Sequence, residues 1–179
     1  MFTVYPFLKP FFSGISTEEG FGKSTMNLIR REFMSNYDVS RFLKAQEGTH
    51  ETAVRELRNG KKNSHWSWWE IPQIAGLGKT NISQQYAIRD LGEAKAFLEN
   101  ATLRAHLLEI CEALLSLETS DARQVMGHPD HLKLRSCMTL FSEADPECAQ
   151  FRKVLDKFYG GRKDYRTLSK LKKQSGRKK

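Results

Sequence analysis

The sequence predicts a mainly α, compact single-domain fold. Three observations carry this. Apolar residues recur at spacings of three and four from Asn36 onward, and strand-like alternation never lasts beyond a few residues. A chain of 179 residues also suffices for one real core but not for two. Apolar residues make up 39% and charged residues 28%, the balance of a globular chain, and five prolines with twelve glycines exclude collagen-like or proline-rich composition. No run of about 18 uncharged apolar residues occurs, so no membrane span is predicted. No internal repeat is visible.

The elements follow in order. Asn36 or Asp38 caps a first helix whose inward face is Val39, Phe42, Leu43, Ala53, Val54 and Leu57. Gly48 is placed to interrupt it and Asn59-Gly60 to end it. Lys61 to Lys79 reads as one long Trp/Gly-rich loop, because Pro72, Gly76 and Gly78 oppose a long element. A short helix over Asn81–Ile88 and another over Glu93–Glu99 come next. Leu103, Leu107, Leu108, Ile110, Cys111, Leu114 and Leu115 form a wide stripe that predicts a helix over Thr102–Leu117. Ser120 caps a turn to Met126, ended by Gly127. Asp130–Phe141 and Pro146–Tyr159 are the last predicted helices, the second closed by Gly160-Gly161.

The chain divides into an N-terminal extension (1–36), a helical domain (37–168) and a basic tail (169–179). The extension carries Phe2, Tyr5, Phe7, Phe11 and Phe12 around Pro6 and Pro10 without periodicity. It reads as poorly ordered or as an organelle-targeting segment; it lacks the features of a secretory signal, and Met26 and Met34 are alternative starts. Gly20-Phe21-Gly22-Lys23-Ser24-Thr25 ends like a phosphate-binding loop, but Thr17 stands where that motif needs a glycine and helical sequence follows. The net charge of +8 is mostly the tail's: Lys170, Lys172, Lys173, Arg177, Lys178 and Lys179 supply six, leaving +2 for the remainder. The tail reads as a solvated end that adds weak nucleic-acid contact through phosphates. Three cysteines with no CxxC pair argue for a reducing, intracellular compartment, cytoplasmic in the simplest case, and against a zinc site. Cys111, Cys137 and Cys148 sit in apolar helical contexts and read as packing residues.

Two clusters hold the candidate chemistry. Trp66, Trp68 and Trp69 lie within four residues of Lys62 or His65. In an extended segment Trp66 and Trp68 share one side while Trp69 faces away, as core plug or as one wall of a ligand pocket. His65 beside Lys61 and Lys62 suits a neutral donor–acceptor. The second cluster is Gly127-His128-Pro129-Asp130-His131-Leu132-Lys133 with Ser136. An Asp130–Lys133 pair at a helix start with a hydroxyl above it holds a sugar or phosphate, or simply caps the helix. Two histidines without a third ligand make no metal motif. No serine-nucleophile elbow or zinc-hydrolase motif is present. The acidic candidates are Glu47, Glu51, Glu56, Glu70 and Asp130; Glu56, one turn before Gly60, leans over the tryptophan loop.

Ordered motifs then bring a family into view: Tyr37-Asp38-x-x-Arg41-Phe42-x-x-Ala45-Gln46, Glu56-Leu57-x-x-Gly60-x-Lys62-x-x-His65-Trp66-x-Trp68, Pro72-Gln73-x-x-Gly76-Leu77-Gly78, Tyr86-Ala87-Ile88, Glu93-Ala94, Gly127-x-Pro129-Asp130-x-x-Lys133-Leu134-x-Ser136-x-Met138-Thr139-Leu140-Phe141 and Asp164-x-x-Thr167-Leu168. Over Tyr37 to Leu171 the chain resembles the domain-of-unknown-function family 1810, sometimes labelled calpastatin-like, although no residue supports a protease-inhibitor role. Met126, His131 and Cys137 depart from its pattern, and Glu70 stands where an apolar residue is usual. The family is similar to the NADAR group, whose members cleave N-glycosidic bonds of ADP-ribosyl or ribosylamine compounds.

The resemblance implies a nucleotide-like ligand and an N-glycosidase in which Glu56 is the catalytic carboxylate. Lys62, His65, Trp66, Trp68, Gln73, Asp130, Lys133 and Ser136 are the implied ligand-binding set, with no metal, no cofactor and no membrane partner. A non-catalytic nucleotide, ADP-ribose or nucleic-acid binding module, and an interaction protein with a structural tryptophan loop, stand beside it as alternatives.

Overall fold

The computed structural model describes residues 37–176, which form ten α-helices. The aromatic N-terminal stretch, the Gly20–Thr25 motif, the alternative starts and Arg177 to Lys179 lie outside the described residues.

The first predicted helix is two, α1 (Ser40–Gln46) and α2 (His50–Arg58). The break falls at Gly48, the weakest helix former of the stretch, and Thr49 Oγ donates back to the Ala45 carbonyl at 3.1 Å. The tryptophan loop is not one loop. It contains α3 (Ser67–Glu70) and is followed by α4 (Asn81–Gln85), which Thr80 caps by accepting from the Ser83 amide. Helix α4 stops short of Ile88 because Ile88 pairs with Ile74 in an isolated parallel bridge: its amide donates to the Gln73 carbonyl at 2.9 Å, and its carbonyl accepts from Ala75 at 2.8 Å. Gly76 in the bridge segment has φ +83°, and a Cβ there would meet Lys170 Nζ at 2.6 Å. The positive φ is what favours glycine here, since the lysine tip can swing aside.

Polar caps set the next helices. Asp90 accepts from the Glu93 amide to start α5 (Leu91–Glu99), and Asn100 accepts from Leu103 to start α6 (Ala101–Leu115). Asp121, rather than the predicted Ser120, caps α7 (Ala122–Met126). Its carboxylate takes two amides, which a serine hydroxyl does less well. Helix α8 (Asp130–Ala144) runs a turn-fraction beyond Phe141, α9 spans Ala149–Tyr159, and α10 spans Tyr165–Gly176.

Two helices organise the rest. Helix α6 packs against α2, α5 and α9, and α8 against α5, α7, α9 and α10. Through the core runs a chain of rings from four helices, Phe42 (α1), Phe97 (α5), Phe141 (α8) and Phe151 (α9), with successive centroid separations of 5.1, 5.1 and 5.9 Å. Each such fully buried ring contributes roughly 1.5–3 kcal/mol. Helix α8 is buried so widely that Ser136, Thr139 and Ser142 also lie inside. Thr139 and Ser142 satisfy themselves on the Arg135 carbonyl and the Thr139 carbonyl. Cys111, Cys137 and Cys148 are buried free thiols, and burial pushes the first two above their ordinary range, consistent with packing roles.

Two cations tie irregular backbone to this frame. Arg41 donates to the Gln85 and Ala87 carbonyls and, at 2.9 Å, to the fully buried Glu93, whose other oxygen holds the Arg89 amide. Lys157 of α9 donates to the Leu114, Leu115 and Leu117 carbonyls at the end of α6, where the helix leaves acceptors unpaired.

The basic tail corrects the expectation of a solvated end. Helix α10 passes through the 168/169 boundary, capped by Asp164, which accepts from Thr167 N and Oγ. Thr167 is buried, Leu171 packs on the core and Gln174 donates to the Arg89 carbonyl. None of the described helices is long and apolar enough to cross a membrane.

Candidate functional site

The site grows from the end of α2. Gly60 takes φ +74° and turns the chain away from the helix. Glu56, on the last turn, then catches the chain it has just released. Its carboxylate accepts from the Asn63 amide (2.9 Å), the Ser64 amide (3.1 Å), the Ser64 hydroxyl and Trp66 Nε1 (2.9 Å). The Lys62 amide donates to the Val125 carbonyl at 2.7 Å, joining the same loop to α7.

All of these Glu56 partners are uncharged. Burial pushes its carboxyl up, but the Ser64 hydroxyl, Asn63 amide, Trp66 indole and Ser64 amide outweigh burial and bring it down to about 2. Glu56 is therefore a fixed anion at neutral pH. Its oxygens are occupied, so the geometry suits electrostatic work and loop holding rather than donating or collecting protons.

Asp130, the first residue of α8, accepts from Lys62 Nζ and Lys133 Nζ, both at 2.7 Å. Burial raises its carboxyl, and the two lysines outweigh burial and lower it. Lys133 also donates to Ser67 Oγ (3.1 Å) and stands 4.4 Å over the Trp68 ring; Lys62 stands 5.0 Å from the Trp66 ring. The three charged groups sum to +1, and Glu56 on the same loop brings the whole site to zero, with each lysine paired.

The tryptophans do not alternate. Ser67–Glu70 is helical, so successive side chains turn by about 100° instead of flipping sides. Trp66 is 1% exposed and is a core plug, which corrects its assignment as a stacking surface. Trp69 packs on Tyr86 and donates to Thr49 Oγ. Trp68 is half-buried, its ring centroid 6.4 Å from that of the exposed His65. A cleft of about 210 Å³ is lined by Gly48, Thr49, Thr52, Ser64, His65 and Trp66; Trp68 and the Lys62–Asp130–Lys133 group are not part of its lining.

Glu56, Lys62, His65, Trp66, Trp68, Asp130 and Lys133 are thus gathered about one loop. Two predicted residues are engaged elsewhere. The backbone carbonyl of Gln73 accepts from Ile88, which fixes that residue in the bridge segment, and the buried Ser136 donates to Asp164 at 3.1 Å. His131 Nδ1 faces the Gly127 carbonyl at 3.0 Å. Among the described residues, no group of three or more His, Cys, Asp or Glu side chains is placed to hold a metal ion.

Sequence reasoning missed a second polar cluster. His50 Nδ1 meets Glu70 Oε2 at 2.9 Å, and His50 Nε2 meets Glu109 Oε2 at 3.2 Å. Glu70 is fully buried, and its other oxygen lies 3.0 Å from the Thr49 hydroxyl, whose single proton it shares with the Ala45 carbonyl. Burial pushes His50 down, but the hydrogen bond and charge of Glu70, with Glu109 behind, raise it overall. The His106 ring stacks on His50 at 3.7 Å and 11°. Burial and the neighbouring His50 charge both lower His106, opposite in direction to His50. The His106 tautomer follows from its partner. Gln46 Nε2 donates to the Trp69 carbonyl, so Gln46 Oε1 accepts from His106 Nδ1–H at 2.8 Å. The signal in the sequence was three polar residues in apolar positions: His50 shares a face with Ala53 and Val54, His106 with Leu103 and Ile110, and Glu70 stands where an apolar residue is usual.

The profile of a family described as "Protein of unknown function (DUF1810)" matches residues 36–171. The chain is also similar to the conserved hypothetical protein Rv1873 from Mycobacterium tuberculosis, known from its crystal structure. The two share 37% identity over 76% of this chain and 98% of that chain, with a TM-score of 0.75. No curated protein matches.

Proposed function

We propose, since the chain belongs to the DUF1810 family of unknown function, that it is an N-glycosyl hydrolase acting on an ADP-ribosyl or ribosylamine compound. The observation that carries this reading is the gathering of Glu56, His65, Trp68, Lys62, Asp130 and Lys133 about one short loop. The ribosyl class comes from the resemblance to the NADAR group. Cleavage of such a bond passes through a cation-like anomeric carbon. Glu56, a permanent anion with neutral partners, supplies the opposing charge. The hydroxyls of Thr52 and Ser64 with His65 suit ribose, Trp68 suits the base, and Lys133 over that ring suits phosphate. Water's oxygen bonds to the anomeric carbon as the C–N bond breaks. The bond's electron pair leaves with nitrogen, which takes up the proton that water releases.

The test is release of free base or amine from ADP-ribosyl and ribosylamine compounds. Glu56→Gln should lower kcat by about 100-fold with the ligand still bound, the usual scale for losing one electrostatic stabiliser. Trp68→Ala should mainly raise KM. Wild-type turnover should show no acidic limb from Glu56 between pH 4 and 7, because that carboxyl titrates at about 2. No release by the wild type, or an unchanged kcat in Glu56→Gln, contradicts hydrolysis. The occupied oxygens of Glu56 favour a second reading, binding of the same ligand without turnover, which predicts a thermal shift and no product. The cations Lys170, Lys172 and Lys173 on α10 extend either reading to weak, salt-dependent contact with nucleic-acid phosphates.

A further inference from the structure

We propose that the cleft beside His50 is a second site, a subsite for a small phosphate-bearing molecule, and that Glu109 is the built-in anion this ligand displaces. The cleft, about 300 Å³, lies between α2 and α6 and is lined by His50, Val54, Arg55, Arg58 and Glu109 among others. It shares no lining residue with the cleft beside His65 and does not depend on the glycosidase reading.

Two donors converge in it on one carboxylate. Arg58 Nη2 holds Glu109 Oε1 at 3.0 Å, and His50 Nε2 holds Glu109 Oε2 at 3.2 Å. Two cationic donors gripping two oxygens of one group is the arrangement that receives a phosphate. Arg55 adds a third cation to the same wall.

The buried side of the cluster keeps His50 a donor. Glu70, with no exposure, has His50 as its ion-pair partner at 2.9 Å. A fully buried carboxylate deprived of that proton-bearing neighbour would carry the cost of an uncompensated charge. On the other side of the ring, Nε2 faces the Glu109 carboxylate at 3.2 Å, an acceptor only, so with a carboxylate at each ring nitrogen His50 presents an N–H to the cleft. The groups facing it are Glu70 and Glu109, His106 stacked on its ring, Arg58 across Glu109, and Glu51 and Arg55 on the rim.

Glu109 is the member able to leave. Its side chain is 40% exposed and that of Arg58 is 59% exposed, whereas His50 and Glu70 are held inside. Rotating Glu109 into water frees both donors without stranding a charge in the core. A phosphate carries more charge and more acceptor oxygens than the carboxylate it replaces. Glu109 then acts as an internal competitor whose effective concentration sets the threshold for binding.

The experiment titrates the full chain with inorganic phosphate at constant ionic strength, reading the His50 imidazole resonances by NMR. The expected result is displacement of the His50 Nε2–H resonance in the wild type. Glu109→Gln should bind phosphate about tenfold more tightly, and Arg58→Ala about tenfold more weakly. Sulfate, whose charge is constant over the range, should bind less well as pH rises through the titration of His50. Both variants change partly exposed side chains, and an unchanged urea midpoint confirms that each is folded. A Glu109→Gln chain that binds phosphate no better than the wild type overturns the displacement, and a wild-type His50 resonance that phosphate never moves overturns the site.

Discussion

Glu56→Gln asks how much of the loop's hold comes from one charge. Glutamine keeps the length of the side chain but offers one acceptor oxygen and an NH₂ group to four donors: the Asn63 and Ser64 amides, the Ser64 hydroxyl and the Trp66 indole. Two routes give the size of the effect. The fall of the carboxyl from its ordinary 4.5 to about 2 is worth about 3 kcal/mol at neutral pH. Solvent screening at this half-exposed side chain reduces that to about 1–2 kcal/mol. Counted as contacts, two of the four hydrogen bonds are lost at about 1 kcal/mol each. Both routes meet near 2 kcal/mol, or roughly 4–8 °C in Tm for a chain of this size. The sign with pH is fixed. A depressed carboxyl stabilises the fold above its unfolded value, and that stability is lost as pH falls from 4.5 toward 2. Urea unfolding of both chains at pH 7 and near pH 2.5 reads it directly. The gap between them should be about 2 kcal/mol at pH 7 and should shrink in acid. A gap under 0.5 kcal/mol at pH 7, or one constant down to pH 2.5, refutes the charge-based account.

Further predictions follow from the same contacts. Trp66→Ala should cost about 3–5 kcal/mol and Trp68→Ala clearly less, since only Trp66 is a core ring; equal losses in denaturant titrations would contradict the division of roles. Arg41→Ala should cost about 3 kcal/mol by stripping the buried Glu93 of its close partner and releasing the Gln85 and Ala87 carbonyls. Hydrogen exchange should then rise first at residues 85–89. Lys157→Met should lower stability by about 2 kcal/mol and fray the last turn of α6, visible as lost amide protection near Leu115. Glu70→Gln should lower the titration of His50, because the group that raises it is gone. The stability His50 gains from that carboxylate is present below its ordinary 6.5 and fades as pH rises through its folded value, so the variant should show a flatter stability profile from pH 6 to 8.

The readable parts of this chain are those in which local chemistry and packing agree. Helix α6 was legible because its stripe from Leu103 to Leu115 is wide and Asn100 supplies the cap. Gly48 marked the break between α1 and α2 for the same local reason. Helix α10 was hidden by its charge: lysines dominate its composition, while the Asp164–Thr167 cap and the inward Leu171 are only three residues that tie it down. In the site, the Lys62–Asp130–Lys133 grouping was foreshadowed by opposite charges at a helix start beside an aromatic run. The orientation of the tryptophans was not, because four residues carry too little pattern to separate a helical turn from an extended segment. The His50–Glu70–His106 cluster spans three helices, and no spacing along the chain announces it. Polar residues on apolar faces were the one trace it left.

The most direct measurement is an NMR titration of the full chain with ADP-ribose, following the three indole N–H resonances. A saturable shift of the Trp68 indole together with the His65 ring is expected, with an unmoved Trp66 indole held on Glu56. Silence at Trp68 and His65 throughout the titration would contradict a nucleotide-like ligand on this loop.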